Sequence, residues 1–333
     1  MSYSVTLISG DGIGEEITRA MQQVLDASGV KISWDKQMAG LKAVQTLGSA
    51  LPEATLESIR NNQVAIKGPT TTPVGTGHQS ANVLLRQSLD LYAAVRPVKS
   101  IPGVKTRYEQ VDLVIVRENT EGLYTGQETQ VKPDTVVSLK IVTEQGSRRI
   151  AKFALELCEK QNRKNLTVGH KANIIKLGDG LFLRTAYEEA SQHPKVHTRD
   201  CIVDALCMKL VTAPENFDVL LLENLYGDIL SDLCAGLVGG LGLVPGANFG
   251  DKQAVFESVH GSAPDIAGQN KANPTALIKS AVMMLDYLGE KEASENIDAA
   301  LNQILSQKKL RTADLGGVST TEEFTQSVIK ALV

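Results

Sequence analysis

The 333-residue sequence predicts an α/β fold with a largely parallel or mixed sheet. Two observations carry that expectation. Short β-rich apolar runs alternate with helical patterns almost throughout, and the helical stretches carry recognisable apolar stripes and end signals. Val5–Ile8 reads as the first strand. Glu15–Ala27 follows as a helix with Ile17, Ala20, Met21, Val24 and Leu25 on one face, stopped by Ser28-Gly29. Val64–Lys67, Leu113–Arg117, Leu166–His170 and Val219–Leu222 read as further buried strands. Arg148–Glu159, Leu181–Ser191 and Leu277–Leu288 read as helices, the last with Asn273 as N-cap and Pro274 at the first helical position. Glu118–Thr143 breaks the alternation: Gly122, Gly126 and Pro133 precede Val136–Val142, whose alternation is that of a hairpin arm. An arm projecting from an α/β body has an edge that needs covering, commonly by a second subunit.

The chain is long enough for a large core and two domains, with 42% hydrophobic residues and a formal net charge of −4. A mildly acidic balance argues against nucleic acid or an anionic membrane as the main partner. No segment reaches the apolar length of a membrane span, and the N-terminus lacks a charged-then-apolar signal pattern. Cys158, Cys201, Cys207 and Cys234 form no C-x-x-C, so neither a zinc site nor a disulfide framework is expected. A cytoplasmic setting with the thiols as small core residues fits.

The segment Asn224–Asp232 follows the apolar run Phe217–Leu222 and sets Asp228 and Asp232 four residues apart. In a helix these positions share a face, about 6 Å apart at Cβ. Two oxygen donors so spaced suit a hard divalent cation, Mg²⁺ or Mn²⁺. By itself such a pair is more often a solvated helix face. Arg86, Arg96 and Arg117 stand near apolar segments, where a guanidinium is costly to bury without an anionic partner. They read either as separate salt bridges or as a polycarboxylate pocket, since guanidinium forks bind carboxylates in bidentate fashion. Gly10-Asp11-Gly12-Ile13-Gly14 lies in the first βα turn, but Glu15 stands where G-x-G-x-x-G needs glycine. A tight structural turn is therefore expected there rather than a pyrophosphate site.

The blocks Gly10–Gly14, Pro73–Arg86, Asp90–Pro97, Arg117–Gly126, His170–Ile174, Asn224–Asp232 and His260–Gly268 run in one order along nearly the whole chain. On them the sequence resembles the metal-dependent β-decarboxylating dehydrogenases of the isocitrate/isopropylmalate dehydrogenase family, and within it the NAD-dependent isocitrate dehydrogenases. The resemblance implies a two-domain fold that is not a Rossmann fold. Residues 1–94 plus 240–333 would form the larger domain, with both termini and the NAD site. Residues 95–239 would form the smaller one, with the metal site and dimer interface, including the arm 118–143. A homodimer or higher oligomer with shared active sites is implied. By resemblance Arg86, Arg96 and Arg117 bind substrate carboxylates. Asp228 and Asp232 hold the metal from one subunit and Asp204 from the other. Lys171, also from the neighbour, pairs with Tyr124 in proton transfer.

The cofactor loop implied is His260, Gly261, Ser262, Ala263, Pro264, Asp265 and Ile266, with Asn273. Similar enzymes that prefer NADP carry a basic side chain at the position of Asp265, and often an aromatic and an arginine at those of Ile266 and Gly317. A carboxylate accepts a hydrogen bond from a ribose 2′-hydroxyl and repels a 2′-phosphate, so NAD is expected. Relatives differ in the C3 substituent of the substrate. Ser80 and Asn82 match what isocitrate dehydrogenases place against the third carboxylate, and a polar pocket left unpaired discriminates against an isopropyl group. The expected reaction is oxidative decarboxylation of isocitrate, a tricarboxylate, to 2-oxoglutarate and CO₂. Homoisocitrate stays open, because its additional carboxylate lies one methylene further out, toward His78; 3-isopropylmalate is a further alternative. Ser80 is also a phosphorylation target in some relatives, where the added dianion would repel substrate. A non-catalytic regulatory subunit is a reading of a different class. Such a subunit should lack one or more of the groups named for catalysis, metal and substrate, and all are present. Ser9 and Glu15 depart from the family's prolines, which bears on turn geometry rather than chemistry.

Overall fold

The computed structural model describes residues 2–73 and 77–332; Val74, Gly75 and Thr76, inside the Pro73–Arg86 block, lie outside the described residues with Met1 and Val333. The chain opens with β1 (Ser2–Ile8), α1 (Gly14–Ala27), β2 (Lys31–Gln37), α2 (Leu41–Leu47), α3 (Glu53–Asn62), β3 (Val64–Lys67) and α4 (Ala81–Ser88). There follow β4 (Ala93–Lys99), β5 (Asp112–Glu118), β6 (Glu128–Lys132), β7 (Thr135–Ser138), α5 (Glu144–Lys160), β8 (Asn165–His170) and α6 (Gly178–Ala190). Then come β9 (His197–Ile202), α7 (Val203–Thr212), β10 (Val219–Leu222) and α8 (Asn224–Leu237). The chain closes with β11 (Pro245–Phe249), β12 (Ala254–Ser258), α9 (Thr275–Leu288), α10 (Lys291–Ser306) and α11 (Thr321–Leu332). These elements form two compact units, Met1–Leu89 with Ser100–Glu109 and Val238–Val333, and Asp90–Lys99 with Gln110–Leu237.

The first unit orders its strands β2-β1-β3-β12-β11, parallel except for β11 against β12. Parallel neighbours need crossovers, which α1 and α3 supply. The α1 stripe of Ile17, Met21, Val24 and Leu25 is buried with Leu277, Ile278, Ala281 and Met284 of α9 and Phe324 and Val328 of α11 in one core. Helix α9 starts one residue later than the sequence suggests. Pro274 precedes it in a helical conformation, and Asn273 Oδ1 accepts from the Thr275 N–H (3.0 Å).

The second unit orders its strands β4-β5-β10-β8-β9, with only β4 antiparallel to its neighbour. Strand β10 lies between β5 and β8 and is wholly buried, which is why four apolar residues run without alternation there. Strands β6 and β7 form a separate antiparallel pair whose residues are all exposed, Val131, Val136 and Val137 among them. The arm ends at Ser138 rather than continuing through Val142. Beyond it Lys140 turns to the buried Asp179 (2.5 Å), and Ile141 bridges back to Gly122.

The Gly10–Gly14 turn is a packing hub of the first unit. Gly10 and Gly12 have φ of 76° and 56°, and a Cβ on Gly12 would overlap the Ser262 carbonyl oxygen that Ile13 N bonds at 2.9 Å. Only glycine meets both demands. The buried Asp11 carboxylate accepts from the N–H groups of Leu41 (2.9 Å), Lys42 (2.9 Å) and Thr71 (2.7 Å). One side chain thus fixes the start of α2 and the loop after β3. Asp11→Ala should lower stability by about 3 kcal/mol, since it strands three donors, and a urea titration should show an earlier midpoint; an unshifted midpoint would mean that water replaces the carboxylate.

Candidate active site

In the second unit α8 carries the two aspartates on one face, and buried arginines lie against them. Arg117, at the end of β5, is 0% exposed. Its Nη1 donates to Asp228, and its Nε and Nη2 donate to Asn224 Oδ1 at 3.0 and 2.6 Å. The stem of Arg117 runs so close beneath α8 that a Cβ on Gly227 would sit 2.5 Å from its Cγ. That explains a glycine inside a helix, where it costs about 1 kcal/mol relative to alanine. Arg96 on β4, also buried, donates to Ser231 Oγ and lies 3.9 Å from Asp228 and 3.8 Å from Asp232. Tyr124 Oη donates to Asp228 Oδ2 (2.5 Å), with the Arg117 guanidinium 4.9 Å from its ring centre. Burial raises the Tyr124 pKa and the Asp228 bond adds to it, so the phenol stays neutral, keeping its proton and donating it as a hydrogen bond to the Asp228 carboxylate. Burial also raises the Asp232 pKa; Arg96 opposes this and Asp228 reinforces it.

Lys171, just after β8, extends its ammonium to Asp204 in the first turn of α7. Asp204 is therefore not gathered with Asp228 and Asp232. Among the described residues no group of three or more His, Cys, Asp or Glu side chains is placed to hold a metal ion. The Asp228–Asp232 pair fits a divalent cation as part of a ligand set: two hard oxygen donors, 39% and 59% exposed, carrying like charge that a cation would relieve.

The first unit holds Arg86 at the end of α4. Its Nη2 donates to Glu257 Oε1 (3.2 Å), while Lys67, 2% exposed, reaches Glu257 Oε2 (2.7 Å) and Asn248 Nδ2 reaches Oε1 (2.8 Å). Burial alone would raise the Glu257 pKa, but the Lys67 and Arg86 charges hold it far below the usual carboxylate range. Ser80 stands at the N-cap of α4 without a capping bond, Asn82 Oδ1 accepts from Thr70 Oγ1 (3.1 Å), and His78 Nε2 lies 3.3 Å from the Thr71 carbonyl.

The loop after β12 holds the sequence-predicted cofactor residues. Ser262 is buried and shares a hydrogen bond with Thr71 Oγ1 (2.7 Å), and Ala263 adopts φ +37°. His260 Nδ1 lies 2.9 Å from the Gly261 carbonyl, so Nδ1 holds the proton of the neutral ring. Its Nε2 is a buried acceptor without a partner, and burial lowers the His260 pKa. An orphaned acceptor in this loop fits a ligand rich in hydroxyl and amide donors, as NAD is. Gly261, Pro264 and Asp265 are exposed and Ile266 half-buried; the Asp265 carbonyl accepts from Gln269 Nε2 (2.7 Å). Asn273 Nδ2 donates to Asp314 (2.9 Å). A Cβ on Gly317 would come within 2.5 Å of the Arg311 carbonyl carbon, so no larger residue fits this backbone at 317.

A family model described as isocitrate/isopropylmalate dehydrogenase matches residues 4–328. The chain belongs to this family. It is 50% identical over 326 residues, 98% of this chain and 87% of the relative, to an Arabidopsis thaliana protein named isocitrate dehydrogenase (NAD) catalytic subunit 5, mitochondrial. It is 49% identical over 334 residues, 100% of this chain and 99% of the relative, to the isocitrate/homoisocitrate dehydrogenase of Thermus thermophilus. Among solved structures, isocitrate dehydrogenase from Methylococcus capsulatus matches with a TM-score of 0.97 at 47% identity, over 99% of both chains.

For an isocitrate/isopropylmalate dehydrogenase, the groups that sequence reasoning passed over are Lys67, Glu257, Asn224 and Ser231. Their signal was faint but present. Lys67 closes the fully buried strand Val64–Lys67, and Glu257 sits inside the fully buried Ala254–Ser258, places where a charge needs a partner. Glu257→Gln should destabilise the protein by about 3–5 kcal/mol at pH 7, the usual penalty for breaking a buried pair. A depressed carboxylate contributes its stability above its unfolded pKa of about 4.3 and loses it as pH falls. The gap between variant and parent urea midpoints should therefore be full at pH 7 and narrow below about pH 4; a gap that widened in acid would contradict the ion-pair account.

Proposed function

We propose that this chain is an NAD-dependent isocitrate dehydrogenase, oxidatively decarboxylating isocitrate to 2-oxoglutarate and CO₂ with Mg²⁺ or Mn²⁺. The observation that carries the reading is one cluster in which buried Arg96 and Arg117 lie on the helix-spaced Asp228 and Asp232 beside a neutral Tyr124. Anion-binding, cation-binding and proton-donating groups are thus held together. The Arabidopsis relative's name supports isocitrate and NAD.

In this reading Arg86, Arg96 and Arg117 take the substrate carboxylates, and Ser80 and Asn82 hydrogen-bond the third one. Asp228 and Asp232 hold the metal together with Asp204 of a second subunit. Bound NAD would supply the hydride acceptor for C2, and a bound divalent cation the positive charge that acidifies the 2-hydroxyl and offsets negative charge as CO₂ leaves. Lys171, contributed by the second subunit, would act as the free amine, its own proton having been released, and take the hydroxyl proton directly or through Tyr124. Tyr124, kept neutral by burial, gives a proton to C3. A second copy of the chain, or a paralogous subunit, is supported by the exposed Val131, Val136, Val137 and Leu139 at the arm and Ile174 and Leu177 beside Lys171. Homoisocitrate is the second reading, favoured by the name of the Thermus relative and by His78 next to Ser80.

Initial rates of NADH formation with Mg²⁺, on isocitrate, homoisocitrate and 3-isopropylmalate at equal concentrations, test this directly. The expected order places isocitrate first by a wide margin and 3-isopropylmalate last. Leadership by homoisocitrate would transfer the protein to the second reading, and inactivity on all three would point to a non-catalytic subunit. The cofactor assignment has its own check. Asp265→Lys should raise NADP use relative to NAD about tenfold or more, because it replaces repulsion of a 2′-phosphate by attraction. An unchanged coenzyme ratio would remove Asp265 from the adenosine site.

A further inference from the structure

We infer that a hydrogen-bond chain from Tyr187 through Asp200 to His170 positions Lys171, making these three positioning residues for the proton transfer proposed above. The inference rests on that reading of Lys171. His170, the last residue of β8, is 5% exposed and precedes Lys171 directly. The Ala172 N–H donates to its Nδ1 (3.0 Å), and a backbone N–H can only donate. Nδ1 is therefore bare, and the ring proton sits on Nε2, which faces Asp200 Oδ2 at 3.0 Å. Asp200 is held in turn by the Tyr187 hydroxyl on its other oxygen (2.6 Å). That bond, more than the one from His170, keeps the Asp200 pKa below its ordinary value, so the carboxylate stays an acceptor. The chain fixes the ring's tautomer, and the tautomer decides whether Nδ1 is free to hold the N–H of residue 172.

The consequence falls on Lys171, between the ring and the bond it makes. Its own N–H donates to the buried Asp179 Oδ2 (2.6 Å), while Asp179 Oδ1 is bound by Lys140 (2.5 Å). Consecutive amides on either side of the Lys171 Cα are thus pinned by two separate side chains. The ammonium end is held by Asp204. Asp200 and Asp204 belong to one continuous segment, the end of β9 and the first turn of α7. A single strand-to-helix junction therefore sets both the backbone turn and the side-chain direction of the lysine. A misplacement of such a group by about 1 Å costs on the order of a hundredfold in rate, which is why a buried histidine with no substrate contact matters.

The test measures single-turnover NADH formation, the KM for isocitrate and the melting temperature for His170→Ala, His170→Asn, Tyr187→Phe and Lys171→Met. It adds the two double variants that combine Lys171→Met with His170→Ala or Tyr187→Phe. His170→Ala should slow turnover about tenfold or more with KM little changed. His170→Asn should recover most of the rate, because an asparagine side-chain oxygen accepts from the N–H two residues on. In the Lys171→Met background, neither His170→Ala nor Tyr187→Phe should slow the reaction further, since groups that act as a unit are non-additive. An equal slowing in both backgrounds, or full speed in His170→Ala, would overturn the inference. Should His170→Ala fail to fold, Tyr187→Phe, altered at a side chain 39% exposed, carries the same comparison. Full speed in Lys171→Met would instead remove the proposed role of Lys171 itself, a failure distinguishable from the first.

Discussion

Arg117 is a permanently charged side chain with no exposure to water, and the arrangement of the second unit around it follows from that fact. A guanidinium in a protein interior must have its donors matched and its charge opposed. Asn224 and Asp228 do this from the first turns of α8, so that helix must begin where it does and must pass close over β5. Gly227 is the concession that allows the approach. Tyr124, brought in by the segment after β5, closes the remaining oxygen of Asp228 and stacks against the same guanidinium. The first unit meets the same constraint separately, with Lys67 and Arg86 sharing Glu257.

These pairings have a consequence for binding under the proposed reaction. Without substrate, the arginines neutralise the aspartates internally. A cation alone would have to compete with Arg117 and Arg96 for Asp228 and Asp232, and a polycarboxylate alone would have to compete with the aspartates for the arginines. Binding both at once replaces two internal attractions by two external ones and leaves the local charge balanced. Metal and substrate would therefore favour one another's binding by linkage. Burial raises the Asp232 pKa, Arg96 opposes the rise and the neighbouring Asp228 charge adds to it, so a cation between the two carboxylates would favour the ionised pair.

Much of this was legible in the sequence, for physical reasons that differ between elements. Val64–Lys67 and Val219–Leu222 have the bounds that apolar runs between turn residues predict, and the Asp228–Asp232 spacing gave a shared helix face. Helical and strand periodicities survive tertiary packing because packing is what they encode. The arm was overextended because Val136–Val142 alternates as a strand does, while the pull of Asp179 and Glu223 on Lys140 is not a local signal. Lys67 and Glu257 were passed over because each ends or interrupts an apolar run by one residue, and their pairing spans 190 positions of chain (257 − 67). The Asp200–His170 bond has no local signal for the same reason: only the parallel pairing of β8 with β9, which sets His170 opposite Ile202 and Val168 opposite Asp200, brings the two side chains within reach as diagonal neighbours.

Buried ion networks are poor evidence for stability, since an apolar set of equal volume is often neutral or better. The fully buried Arg117, the nearly buried Arg86 and Arg96, and Lys67 in mid-sheet are therefore not explained by folding. Cys158 and Cys234 show the contrast: burial pushes both thiols up to about 12, and they serve as small apolar fillers with no charge to satisfy. A core that needed only to cohere would use more residues of that kind. Under the proposed function, positions that hold desolvated cations at fixed geometry would be explained by a ligand that brings its own anions. Because each guanidinium is already desolvated in the unbound protein, such a ligand would exchange its own carboxylate for an internal one without a further dehydration cost for the arginine.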